Sequence, residues 1–156
     1  MDDLQTTSAE TRLFPVTESH RDTILTPKSL FESLNLRFNL DVAAAIDGDF
    51  VPAKHRYTVN DDGLTLPWSG RVWMNPPYSK PEPWVDKFIQ HANGIALLPI
   101  SRSHWQIRLW QKADGICLMD HLFSFHEHSG FPFQVHLAAF GGECVEALGR
   151  LGHVRR

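Results

Sequence analysis

The order of apolar segments in this chain predicts an α/β domain: a mostly parallel sheet covered by helices on both faces. Two observations carry this reading. Strand-length apolar runs, GIALLPI (94–100) and GICLMD (115–120), alternate with the helix-period segments EPWVDKFIQHA (82–92) and HWQIRLWQKA (104–113). The runs are also continuously apolar instead of alternating, as strands buried on both faces must be. At 156 residues the chain can enclose one core, and is too short for a catalytic domain plus a large separate recognition domain.

Residues 1–22 are polar and without periodicity, which predicts a flexible arm ahead of a single domain over 23–156. At TPKSLF (26–31), Thr26 followed by Pro27 and then by Leu30, Leu34 and Leu36 predicts a helix capped by Thr26 with Pro27 at its first position. FNLDVAAA (38–45) reads as a short buried strand. Its acid, Asp41, is followed by small residues that let another molecule approach the backbone. From Ile46 to Pro67 the chain is rich in Gly, Asp, Asn and Pro and should form loop or very short elements. Arg71-Val72-Trp73-Met74 is a β-prone run that must end at Asn75, because two prolines follow and proline cannot donate to a ladder. Glu82 and Pro83 suit the first turn of the helix that comes next. LFSF (122–125) and PFQVHLAAFG (132–141) read as a closing antiparallel pair, and GECVEALGRL (142–151) as a final short helix.

Composition narrows the function classes. No apolar run approaches the roughly 20 residues that span a bilayer, and the acidic start MDDLQTTSAETR does not read as a secretory signal. With only Cys117 and Cys144 available for oxidation chemistry, a reducing cytoplasm is the expectation. Fifteen Lys and Arg against eighteen Asp and Glu give a net charge of −3, so any contact with a nucleic-acid backbone must come from a local basic patch.

The segment with chemistry in it is Asn75-Pro76-Pro77-Tyr78, placed between a strand and a helix. An exocyclic amino group on adenine or cytosine is a poor nucleophile, because its lone pair is delocalised into the ring. An enzyme that methylates it must polarise it with acceptors, here the side-chain carbonyl of Asn75 and the backbone carbonyl of Pro76. Consecutive prolines fix φ and hold those acceptors in place, and Tyr78 is positioned to stack on a base flipped from its duplex. The bland alternative is a rigid turn that merely ends a strand.

The succession of TPKSLFESL, FNLDVAAA, DDGLTLPWSGRVWMNPPY, PWVDKF, GIALLPI and FPFQVHLAAFG resembles the phage-type DNA N-6-adenine methyltransferases, over about residues 26–140. The resemblance implies a compact, abbreviated Rossmann-like fold that uses S-adenosylmethionine, and phage or prophage DNA modification that protects against restriction, in the cytoplasm of a bacterial host. It implies catalytic roles for Asn75, Pro76, Pro77 and Tyr78, and cofactor contacts from Thr26 and Pro27 at the methionine end. It further implies cofactor contacts from Asp41 and Ala43 in the first motif, and from Asp62 to the cofactor's adenine amino group. The Gly-rich cofactor loop of larger amino-methyltransferases is absent, with DVAAA in its place. Only the interval 42–74 lies between Asp41 and Asn75, which cannot hold a full set of intervening strands and helices. The ribose-binding acid is left to Asp47 or Asp49, each of which also suits a plain Gly/Asp turn.

For DNA, Arg71, Lys80, Lys87, Arg102 and Arg108 are the candidate backbone contacts, with a solvated helix face competing for Arg102, His104 and Arg108. The expected substrate is double-stranded DNA with a flipped adenine, and a homodimer could add contacts that one short chain lacks. Trp68, Trp73 and Trp84 are expected in the core more than on a base. His121, His126 and His128 with Cys117 do not follow a paired-ligand zinc spacing, so no metal is expected. Two other functions share these residues: methylation of a protein glutamine amide, which poses the same nucleophilicity problem, and a catalytically silent nucleic-acid-binding relative.

Overall fold

A computed structural model describes residues 25–119 and 134–156. In chain order the elements are α1 (Lys28–Leu34), β1 (Phe38–Asp41), β2 (Ala53–Arg56), β3 (Val72–Met74), α2 (Glu82–His91) and β4 (Gly94–Pro99). These are followed by α3 (His104–Lys112), β5 (Gly115–Met119), β6 (Val135–Phe140), α4 (Gly142–Leu148) and β7 (Gly152–Arg155). The strands form one seven-stranded sheet in the order β2-β1-β3-β4-β6-β5-β7. β2, β1, β3 and β4 are mutually parallel. β6 lies antiparallel between β4 and β5, and β7 pairs antiparallel with the outer edge of β5.

β4 shows why its sequence lacks alternation. Ile95 and Leu97 face one core with Leu30, Phe31 and Leu34 of α1 and Val145 and Leu148 of α4. Ala96 and Leu98 face the other core with Val85 and Phe88 of α2 and Trp105 and Leu109 of α3. Helices on both sides leave no face of the strand for polar residues. Phe88 is fully buried and meets Phe140 edge-on at 5.2 Å between ring centroids, a burial that contributes about 1.5–3 kcal/mol.

The strand–helix alternation from β3 to β5 follows the expectation. The antiparallel arrangement differs in its partners: β6 pairs with β4 and β5, and LFSF lies outside the described residues. The edge strands β2 and β7 carry no apolar alternation in AKHR and GHVR, so pairing of their backbones, rather than side-chain burial, makes them strands. The entry to α1 also differs. Pro27 is the N-cap, in extended conformation, and the helix begins at Lys28 with no side-chain cap. The side chain of Thr26 is used elsewhere. Among the described residues no helix is long and apolar enough to cross a membrane, and no group of His, Cys, Asp and Glu could hold a metal ion. His121, His126 and His128 lie outside the described residues.

Candidate active site

The chain leaves β1 to form β2 on one side of it, and β3 then pairs on the other side. At such a reversal, the connections at the carboxyl ends of the two strands diverge and leave a crevice. A cavity of about 610 Å³ lies there, within the range of small-molecule sites. Its walls come from the residues after β1, from Thr26, from the 58–63 turn, and from Asn75 and Pro77 at the end of β3. Of the residues expected at the site, Thr26, Asp41, Ala43, Asp62, Asn75 and Pro77 line this cavity. Pro27, Pro76 and Tyr78 adjoin it in sequence and are not part of its lining.

Asp41 ends β1 and is 1 % exposed, and its Oδ1 accepts the Ala43 N–H at 3.2 Å. Burial, reinforced by the neighbouring Asp49 carboxyl, pushes its pKa up to about 8, against the opposing effects of the Ala43 N–H and Arg56. Asp47 and Asp49 both line the cavity. Asp49 is engaged structurally as well, accepting from Arg56 Nη1 at 2.5 Å and from the Val51 N–H at 3.0 Å. Its side chain is only 7 % exposed, so the two acids form a buried pair at the cavity wall.

Asp62 stands at the mouth with φ of 58°, and its Oδ1 accepts the Leu64 N–H at 3.2 Å in an Asx turn. The turn is pressed against the sheet through Gly63, where an added Cβ would lie 2.1 Å from the Val42 carbonyl oxygen. Lys87 of α2 ties down the same turn, donating to the carbonyls of Gly63, Leu64 and Leu66 while its ammonium lies 5.0 Å from the Trp68 ring centroid. The desolvation this costs lowers its pKa. Lys87 is therefore spent on holding the site together.

The tetrapeptide leaves the central strand as its sequence dictates. Pro76 is buried, and Asn75, Pro77 and Tyr78 are half-buried. Asn75 Nδ2 donates to Thr26 Oγ1 at 3.3 Å. Tyr78 turns toward β4, its hydroxyl donating to the Leu97 carbonyl at 3.3 Å. Burial raises the phenol pKa and so favours the neutral hydroxyl.

Among the tryptophans, Trp73 is 1 % exposed and packs on Phe31 and Phe38, while Trp68 and Trp84 stack at 6.5 Å. Trp73 and Trp84 also line the cavity, so core and site share walls.

The basic candidates are scattered. Arg71 precedes β3 at the end of the sheet opposite Asn75, where it pairs with Glu143 and donates to the Arg37 carbonyl. Arg108 is bound by Glu82 and Asp86 at 2.9 and 2.7 Å. Lys80 and Arg102 are exposed on the segments that follow Tyr78 and β4, on the site's side of the sheet. Sequence reasoning missed the use of Lys87, the Asp41–Asp49 pairing and the bond between Thr26 and Asn75. Each joins segments that have no local pattern in common.

Comparison with known proteins adds to this geometry. A family model described as DNA N-6-adenine-methyltransferase (Dam) matches residues 15–134. A DNA N-6-adenine-methyltransferase of Haemophilus phage HP1 (strain HP1c1) is 36 % identical over 80 residues, covering 48 % of this chain and 45 % of that protein. The chain thus matches a little under half the length of this curated relative. No solved structure matches. With the family match extending over most of the chain and Asn75-Pro76-Pro77-Tyr78 standing at the end of a central strand, the chain belongs to the DNA N-6-adenine-methyltransferase (Dam) family.

Proposed function

We propose that the chain transfers a methyl group from S-adenosylmethionine to the N6 amino group of adenine in DNA. The observation that carries this reading is the position of Asn75: it directly follows β3, an inner strand of the sheet, and lines the crevice where the sheet order reverses. The strand order also supports reading the fold as an abbreviated Rossmann-like methyltransferase sheet: β2, β1, β3, β4 and β5 run in one direction, antiparallel β6 is inserted between β4 and β5, and antiparallel β7 lies at the edge.

The residues present fit S-adenosylmethionine. The cavity has the volume for it, apolar side chains of Leu25, Ile46 and Val59 at its rim suit an adenine ring, and Asp41, Asp49 and Asp62 suit hydroxyl and amino donors. When bound there, the cofactor would supply an electrophilic methyl carbon on a sulfonium. Asp62 would receive the cofactor's amino group, and the family resemblance assigns the methionine end to Thr26, which lines the cavity, and Pro27, which adjoins it in sequence. Asn75 and the Pro76 carbonyl would accept the two hydrogens of the target amino group, drawing its nitrogen toward tetrahedral geometry as positive charge develops. No ordinary side-chain base deprotonates such an amino group at neutral pH, so on this reading it is activated by polarisation. The Tyr78 ring, tethered through its hydroxyl, offers a stacking face for a flipped adenine, worth about 1–3 kcal/mol per base. Lys80 and Arg102, both exposed, would make phosphate contacts, and a homodimer would extend that surface.

Tritium transfer from labelled cofactor to DNA tests the reading. Wild-type protein should label adenine, and Asn75→Ala should lower kcat by about 10²–10³. Absence of transfer by the wild type, or full transfer by Asn75→Ala, refutes it. Label in protein instead of DNA would redirect it to amide methylation.

A further inference from the structure

We infer that Thr26 is a positioning residue for the catalytic asparagine, fixing which end of the Asn75 amide faces the acceptor nitrogen. The inference rests on the methyltransfer reading above, and it departs from the cofactor contact that resemblance assigns to Thr26.

Methyl transfer needs the Asn75 carbonyl turned toward the substrate amino group. An asparagine amide has an acceptor end and a donor end of nearly equal size, and rotation about its last torsion exchanges them. A rotated Asn75 would aim N–H groups at an N–H group, which repels where it should attract. Some contact must break this near-symmetry. In the structure Asn75 Nδ2 donates to Thr26 Oγ1 at 3.3 Å, so the donor end is held on the Thr26 side.

Both partners are stiff. Thr26 is 3 % exposed and β-branched, which restricts χ1. It precedes Pro27 and Asn75 precedes Pro76, and a residue before proline is confined to extended conformations. Two X–Pro steps, 49 residues apart, thus present their side chains to each other from nearly fixed backbones. The hydroxyl is not spent on a helix cap, since α1 has no side-chain cap and begins beyond Pro27. Its use on Asn75 accounts for a buried polar side chain at the cavity wall.

The test uses the full chain with S-adenosylmethionine and an adenine-containing duplex. Thr26→Val keeps the shape and deletes the acceptor; Thr26→Ser keeps the acceptor. Thr26→Val is expected to lower kcat about tenfold at saturating cofactor, or about 1.4 kcal/mol, to leave the dissociation constant of S-adenosylmethionine within about twofold, and to be rescued in Thr26→Ser. An unchanged kcat, or a loss that is confined to cofactor affinity and vanishes at saturation, overturns the inference. Should Thr26→Val fail to fold, Thr26→Ala against Thr26→Ser gives the same comparison.

The Asn75→Asp background provides an independent measurement. A carboxylate accepts on either side, so orientation ceases to matter and Thr26→Val should cost less than about twofold there. An equal tenfold cost in both backgrounds overturns the inference. Wild-type protein that transfers no methyl group would refute the methyltransferase reading itself, whereas an active wild type with an indifferent Thr26 refutes only the positioning role.

Discussion

Replacing Asp41 by Asn should stabilise the protein increasingly as pH rises. The Asp41 carboxyl lies at the end of β1, 1 % exposed, and its pKa is raised from 3.8 to about 8, first by burial and then by Asp49. The unfolded chain therefore releases this proton above about pH 4, while the folded chain keeps it until about pH 8. Between those values the folded state binds one more proton, so the group's contribution is fully present below pH 4 and is lost as pH rises toward 8. The slope is about 1.4 kcal/mol per pH unit, or roughly 3 kcal/mol between pH 5 and pH 7. Asn retains an acceptor for the Ala43 N–H and carries no titrating proton. His136 works in the opposite sense, since burial lowers its pKa to about 4 and acidification below the unfolded value costs stability. It is unchanged by the substitution and cancels in the difference. Urea unfolding of both proteins at pH 5, 6, 7 and 8 should show Asp41→Asn gaining on wild type across the series. Two stability profiles that stay parallel from pH 5 to 7 would refute the buried, protonated Asp41.

Two other substitutions probe the turn over the cavity. Gly63→Ala places a methyl 2.1 Å from the Val42 carbonyl oxygen, so backbone must move. A loss of about 1–3 kcal/mol, with Tm lower by several degrees, is expected in a thermal melt, together with weaker cofactor binding by calorimetry; an unaltered melt would show that the turn is not seated on β1. Lys87→Met keeps the apolar stem and removes the donor to the carbonyls of Gly63, Leu64 and Leu66. It should cost about 1–3 kcal/mol and raise KM for the cofactor with little change in salt dependence of DNA binding. A reduced salt slope would instead mark Lys87 as a DNA contact.

What the sequence determined is what local physics controls. Two prolines forbid a strand beyond Asn75, and a helix-period segment must follow, so the Asn75-Pro76-Pro77-Tyr78 tetrapeptide and its strand-to-helix setting were legible, as was the buried character of β4. Edge strands β2 and β7 were not legible, because backbone pairing leaves no side-chain signature. Tertiary structure alone decided that β6 inserts between β4 and β5, and that Arg71 points away from the site to Glu143, 72 residues distant. It alone brought Asp49 to Asp41 and Asn75 to Thr26. Arg71 and Lys87 are each close to the tetrapeptide in sequence, yet one lies at the far end of the sheet and the other is consumed by three carbonyls. Direction along a strand and the partners across a loop are set by long-range packing, and that packing decides which of the nearby charges reaches the chemistry.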